Sequence, residues 1–198
     1  MKRIAARLSA CCLVLFLFCC HRQTQQLPAS IFSYRLSLSN DSSLDFEILK
    51  NNKASVFVFL APDCPLSQIY TLTLNELHRQ FADEGIGFYG VVENSNYEKR
   101  EVDDFITQYR IGLPIALDPH STLSQFFGAM VTPEVFVVNS KGNTIYQGAI
   151  DNRTPELGQH RTIITEHYLQ DALIDFIRTG NVSVRTTKPV GCFIESGN

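Results

Sequence analysis

The chain reads as an α/β protein with one mixed central β-sheet sandwiched by helices, and three observations predict it. Between residues 55 and 128, segments of strand character alternate with segments of helical period. The stretch SVFVFLA (55–61) is apolar at nearly every position, as a strand buried on both faces requires. Two late strand-like segments, PEVFVVN (133–139) and TIYQGAI (144–150), flank SKGN, a hairpin turn containing Gly142. Strand-helix-strand units need parallel pairing and the hairpin adds an antiparallel pair, so one mixed sheet follows.

Taken in order, the first twenty residues do not belong to that sheet. Lys2, Arg3 and Arg7 precede LSACCLVLFLFCC, a nearly continuous apolar run, and polar HRQTQQ follows. The run is too short to span a bilayer and has the layout of a secretory signal. Its end, LFCCH, resembles the lipobox of a bacterial lipoprotein, where a cysteine becomes the lipidated first residue. The residue before that cysteine is normally small, so Cys20 after Cys19 fits better than Cys19 after Phe18. The expectation is a signal peptide over 1–20 and lipidation at Cys20. The protein would then be an exported lipoprotein of the bacterial cell envelope, periplasm-facing or in the outer membrane, held to the membrane through its lipid anchor. An uncleaved N-terminal anchor is the alternative. Residues 21–30, HRQTQQLPAS, form a polar linker.

FSYRLSL (32–38) and DFEIL (45–49) alternate like half-buried strands around the turn cluster Asn40 to Ser43. After SVFVFLA comes Cys64, and then Tyr70, Leu74, Leu77 and Phe81 recur at helical spacing until Gly85. IGFYGVVE (86–93) is a strand, 98–110 a charged amphipathic helix, PIALD (114–118) a short strand and STLSQFFG (121–128) one or two helical turns. After the hairpin, a last helix over about 162–179 carries Leu169, Ala172, Leu173, Phe176 and Ile177 on one face, with Gly180 past its end. The expected order is β-β-β-α-β-α-β-α-β-β-α over a single domain, 31–180. A tail, 181–198, follows without helical period.

Removing the signal's basic residues leaves 14 Lys and Arg against 20 Asp and Glu, an acidic body without a basic stripe. That argues against nucleic-acid binding. Four of the six cysteines fall in the signal, so only Cys64 and Cys192 remain in the body. In an oxidising compartment two such cysteines suggest a disulfide. Cys64, however, stands where a strand stops and a helix begins, where unpaired N–H groups and the helix dipole favour a thiolate. That placement makes it a candidate nucleophile.

This element order, with F-L-A-P-D-C-P-L-S and the later V-T-P-E-V-F-V-V, resembles the thioredoxin-like fold, and within it the redoxin branch that includes peroxiredoxins. The resemblance covers roughly residues 31–180. It implies a cis proline at Pro133 against the nucleophile's sulfur, with Thr132, Pro133, Pro65 and Ser67 meeting a substrate that is a disulfide, a thiol or a peroxide. Chemically, X-Pro is the peptide where cis is cheap, and proline removes an N–H from an edge that an extended substrate can use. A trans proline merely opening the strand is the alternative.

The departures from the family matter as much. Thioredoxins carry a second cysteine three residues after the first, whereas here that position is Ser67, which cannot close a disulfide. Asp63 replaces the usual tryptophan and puts negative charge beside the thiol. The peroxiredoxin pattern P-x-x-x-T-x-x-C is absent, since Phe57 and Ala61 occupy its proline and threonine positions. Arg153 or Arg161 could supply the guanidinium that orients a peroxide.

By subtraction, Cys192 in K-P-V-G-C-F-I is the candidate resolving cysteine. Gly191 frees its backbone, and Phe193 and Ile194 offer an apolar handle for docking near the active-site helix. A free or intermolecular thiol on a disordered tail is the alternative. His120, His160 and His167 lack ligand spacing, so no metal is assigned, and no cofactor. The function expected is a membrane-tethered thiol-disulfide oxidoreductase. A thiol peroxidase and a non-catalytic binding module of the envelope are the alternatives.

Overall fold

The computed structural model describes residues 30–93 and 97–194. The expected signal, Cys20 and nearly all of the linker lie outside them.

The chain enters through a 3-10 turn, Ile31–Ser33, and a hairpin of β1 (Arg35–Leu38) and β2 (Ser43–Asp45). The segment DFEIL, read from its alternation as a strand, is instead mostly a second 3-10 turn, Phe46–Asn51. The Asp45 side chain caps it by accepting the Glu47 amide, and Phe46 and Leu49 are still buried, as i, i+3 neighbours of a tight turn. Phe46 and Ile48, two apart, made the alternation, but Ile48 is exposed and the buried pair is Phe46 with Leu49, three apart.

β3 (Ala54–Leu60) is buried at every position. It pairs in parallel with β4 (Ile86–Val92) and antiparallel with β7 (Glu134–Asn139). α1 (Pro65–Phe81) makes the crossover from β3 to β4, and Gly85 leaves it in the left-handed conformation, φ 75°. α2 (Lys99–Gln108) leads to β5 (Ile115–Leu117), and α3 (Thr122–Phe127) to the two-residue strand β6 (Val131–Thr132). β8 (Thr144–Gly148) completes the hairpin with β7. The sheet runs β2-β1-β5-β4-β3-β7-β8, mixed as expected, and a separate two-stranded ribbon joins β6 to β9 (Cys192–Phe193). The last helix, α4 (Tyr168–Thr179), starts six residues later than its apolar pattern suggested. Residues 162–167 belong instead to a loop pinned by Asn152, whose amide hydrogen-bonds Thr165 and Glu166.

Alternate residues of β3 feed two cores. Val56, Val58 and Leu60 face Tyr70, Leu74, Leu77 and Phe81 of α1, with Val102 and Phe105 of α2 and Leu169 and Leu173 of α4 in the same core. Phe57 and Phe59 face an aromatic core with Phe46, Phe136 and Tyr34, closed by α3 and the 3-10 turns. Helices thus cover both faces unequally, three on one and the short α3 on the other. Each fully buried Leu, Val or Phe contributes roughly 1.5–3 kcal/mol. These two cores flank the carboxyl ends of β3 and β4, which is where ligands sit in α/β sheets.

Candidate active site

β3 ends at Leu60 and α1 begins at Pro65, and the four residues between them are tied to the helix on both sides. The Cys64 amide donates to Ala61 O at 3.2 Å, and the Gln68 side-chain amide donates to Pro62 O at 2.7 Å. Ser67 Oγ accepts the Ala61 amide at 3.1 Å. Cys64 is the N-cap, with extended backbone (φ −82°, ψ 115°), and Pro65 takes the first helical position, where a missing N–H costs nothing. Cys64 is 1 % exposed.

Ser67, expected to meet substrate, is instead turned inward and fully buried. Its hydroxyl is spent on the loop. Pro65 is exposed at the helix start, and neither residue lines the cavity described below.

The Thr132–Pro133 peptide is cis and faces Cys64, as expected. The Thr132 carbonyl oxygen is 3.1 Å from Cys64 Sγ. Thr132 Oγ1 is buried without a hydrogen-bond partner among the described residues. Behind this peptide stands Glu134, buried at the start of β7, its carboxylate accepting the amides of Met130 (2.9 Å) and Val131 (3.4 Å). Burial raises its pKa above the usual carboxylate range, against the opposing pull of the two amides.

The described residues of the tail, 181–194, follow one path along the domain. It leaves α4, runs beside β8 and is held there at Thr187, whose amide donates to Gln147 O at 3.1 Å. Thr187 Oγ1 accepts the Ala149 amide at 2.9 Å and lies 2.7 Å from the Tyr146 hydroxyl. Gly148, at φ 133°, is needed for this approach, because a Cβ there would strike the Thr187 backbone. Beyond Val190 the tail crosses to β6 and pairs with it, Thr132 opposite Cys192 and Val131 opposite Phe193, and the Ile194 amide donates to Met130 O at 2.9 Å. A Cβ on Gly191 would collide with the Thr132 backbone, so only glycine lets the strand lie this close.

At the end of this path Cys192 is disulfide-bonded to Cys64, with a Cα separation of 6.0 Å across 128 residues of sequence. A cavity of about 470 Å³ opens beside the bond. Phe59, Leu60 and Val91 give it apolar wall, Asp63 and Glu93 give it carboxylates, and Phe193 and Ile194 of the tail close one side. The Tyr97 hydroxyl donates to Asp63 Oδ1. Glu93 Oε1 accepts Ser124 Oγ at 2.7 Å. Ser124 is itself placed by Asp118, a fully buried carboxylate that accepts the amides of Thr122, Leu123 and Ser124 and so caps α3.

Arg153 and Arg161 do not reach this cavity. Arg153 packs over the Tyr70 ring at 5.0 Å, donates to Thr73 Oγ1 at 3.1 Å and lies 3.8 Å from Asp151. Among the described residues, no group of three or more His, Cys, Asp or Glu is placed to hold a metal ion.

Sequence reading missed Glu93, Asp118, Tyr97 and Glu134. For Glu93 a signal existed, since it ends β4's apolar run in phase with Val91, at the strand end where sites form.

A family model described as the AhpC/TSA family matches residues 23–147. Among solved structures, a hypothetical protein from Sinorhizobium meliloti 1021 is similar, with TM-score 0.71 and 20% identity over 83% of this chain and 92% of that one. The bacterioferritin comigratory protein of Xanthomonas campestris, which has alkyl peroxide reduction activity, has TM-score 0.53 and 21% identity over 62% of this chain and 83% of its own. A secreted Mycobacterium tuberculosis disulfide oxidoreductase homologous to E. coli DsbE has TM-score 0.50 and 15% identity, covering 57% and 81%. At these identities the likeness is one of fold, thioredoxin-like in each of the last two. No curated protein matches the sequence.

Proposed function

The chain belongs to the AhpC/TSA family, and we propose that it is a thiol-disulfide oxidoreductase in which Cys64 attacks and Cys192 resolves. The observation that carries this reading is the bond between them, made by a cysteine at a helix N-terminus and a tail cysteine laid antiparallel on the residue before a cis proline. Reduced Cys64, as thiolate, displaces one sulfur of a substrate disulfide and forms a mixed disulfide. Ser67 is buried and carries no thiol, so the neighbouring turn offers no resolving group. Cys192 then displaces the second substrate sulfur and closes the Cys64–Cys192 bond. Two electrons pass to the substrate, and the two thiol protons end on the leaving thiolates.

Family membership favours a second reading, thiol peroxidase. Against it, Ala61 stands at the position of the peroxidatic threonine, and no arginine lines the cavity among the described residues. Export and tethering through Cys20 belong to the same proposal, and they rest on the sequence of residues 1–20.

Single-turnover reaction of the reduced protein with a neutral disulfide, read by mass mapping of the cysteines, tests the assignment. Cys64→Ser is expected to be inert. Cys192→Ser is expected to react at the first step and accumulate a stable adduct on Cys64. Equal turnover by both variants and the parent would replace the enzyme reading with the binding-module one.

A further inference from the structure

The cavity beside the disulfide has a charge character that the redox assignment leaves unused. Asp63 and Glu93 both line it, and none of its described lining residues is basic. Glu93 is buried, so its carboxylate acts through protein and not through bulk water. Asp63 is the residue immediately before the nucleophile, and the Tyr97 hydroxyl bonds it. Phe59, Leu60 and Val91 add apolar wall beside these groups. At about 470 Å³ the space admits a small organic molecule or one long side chain beside the sulfur pair.

Resting on the oxidoreductase reading, we propose that this cavity selects substrates carrying a positive charge a few atoms from the reacting sulfur, a cationic thiol or disulfide, and repels anionic ones. Two effects act in the same direction. The carboxylates attract the cation into the cavity, and the bound cation offsets the negative charge that Asp63 places beside the attacking Cys64 thiolate. An anionic substrate meets both carboxylates uncompensated, next to a developing thiolate. The chemistry balances as in any exchange: R–S–S–R and the protein dithiol give two R–SH and the Cys64–Cys192 disulfide.

The test is the single-turnover rate of the reduced full chain with three disulfides of similar size: cystamine (cationic), 2-hydroxyethyl disulfide (neutral) and 3,3′-dithiodipropionate (anionic). Each rate is divided by that of dithiothreitol with the same compound, which removes intrinsic reactivity. The expected normalised ratio of cystamine to dithiodipropionate is about tenfold or more at low salt, and only the part due to the exposed Asp63 is expected to shrink as salt is raised. In Glu93→Gln with Asp63→Asn the ratio is expected to fall to within about threefold. The Asp63→Asn change alone, at an exposed position, reports the effect should the buried substitution impair folding. A disulfide-linked Lys-Cys peptide outpacing cystamine would assign the charge to a basic protein segment, and the reverse order to a small amine. Equal normalised rates for all three compounds overturn charge selection while leaving the oxidoreductase reading intact. Failure to react with any disulfide removes that reading, and the selectivity with it.

Discussion

The two halves of the disulfide are built in opposite ways. Cys64 lies between a fully buried strand and a 17-residue helix, with Ala61 and Pro62 hydrogen-bonded to the helix's first turn. Cys192 lies on a two-residue strand held by β6 on one side, with its next described anchor back at Thr187. One sulfur is fixed by the cores, and the other is delivered by a strap. The difference teaches why the roles are assigned as they are. A nucleophile gains from being held in one geometry, whereas a resolving group must leave so that substrate can enter and then return.

The largest effect should come from cutting the strap's covalent link. Closing a loop of 128 residues restricts the unfolded chain, which the chain-entropy account values at up to about 5 kcal/mol. Cys192→Ser is therefore expected to lower unfolding free energy in denaturant relative to the oxidised parent by roughly 2–5 kcal/mol. Hydrogen exchange should show new opening confined to about residues 188–194 and the β6 amides. Loss of protection in β3 or α1 would mean that the tail supports the core and that the two regions are not independent.

A smaller effect isolates docking from bonding. Gly191→Val places side-chain atoms against the Thr132 backbone, so β9 cannot pair with β6 as it does now. The expected result is a fall of about tenfold in the effective concentration of Cys192 at Cys64, read from the redox equilibrium against glutathione, equivalent to about 1.4 kcal/mol. Stability of the fully reduced protein should be almost unchanged. An unaltered redox equilibrium would show that the strand pairing follows from the disulfide and contributes nothing to it.

The smallest effect concerns the fixed side. Glu134 is a carboxyl whose folded pKa is raised by burial, so its contribution is complete below the unfolded value near 4.5 and is lost as pH rises through the folded one. Comparing parent with Glu134→Gln should therefore show the variant gaining relative stability as pH climbs above about 4.5, then levelling off. Chemical denaturation at a series of pH values checks it. A difference independent of pH would mean that the Met130 and Val131 amides balance burial, and the opposite slope would mean that they outweigh it.

Much of this was legible in the residues. The continuous run SVFVFLA could only be a central strand, and Pro65 with the Tyr70, Leu74, Leu77, Phe81 stripe put Cys64 at a helix start, because those signals act over one or two turns of chain. The hairpin around Gly142 and the strand after Pro133 were encoded in the same local way. Other features depended on partners far along the chain. Phe46 with Ile48 fit a strand and Phe46 with Leu49 a 3-10 turn, and packing under the aromatic core chose the turn. Ser67 looked like a substrate contact until the Ala61 amide claimed its hydroxyl.

What the sequence determined by itself was the α/β order, the position of Cys64 between a strand and a helix and the lack of a second cysteine in its turn, since each follows from local periodicity or from counting cysteines. The tertiary structure alone decided that the tail runs beside β8, that Gly191 lies against Thr132, and that Asp63 and Glu93 share one cavity with the disulfide. Those juxtapositions join residues tens of positions apart or more, and only the packing of both cores against the sheet sets such distances.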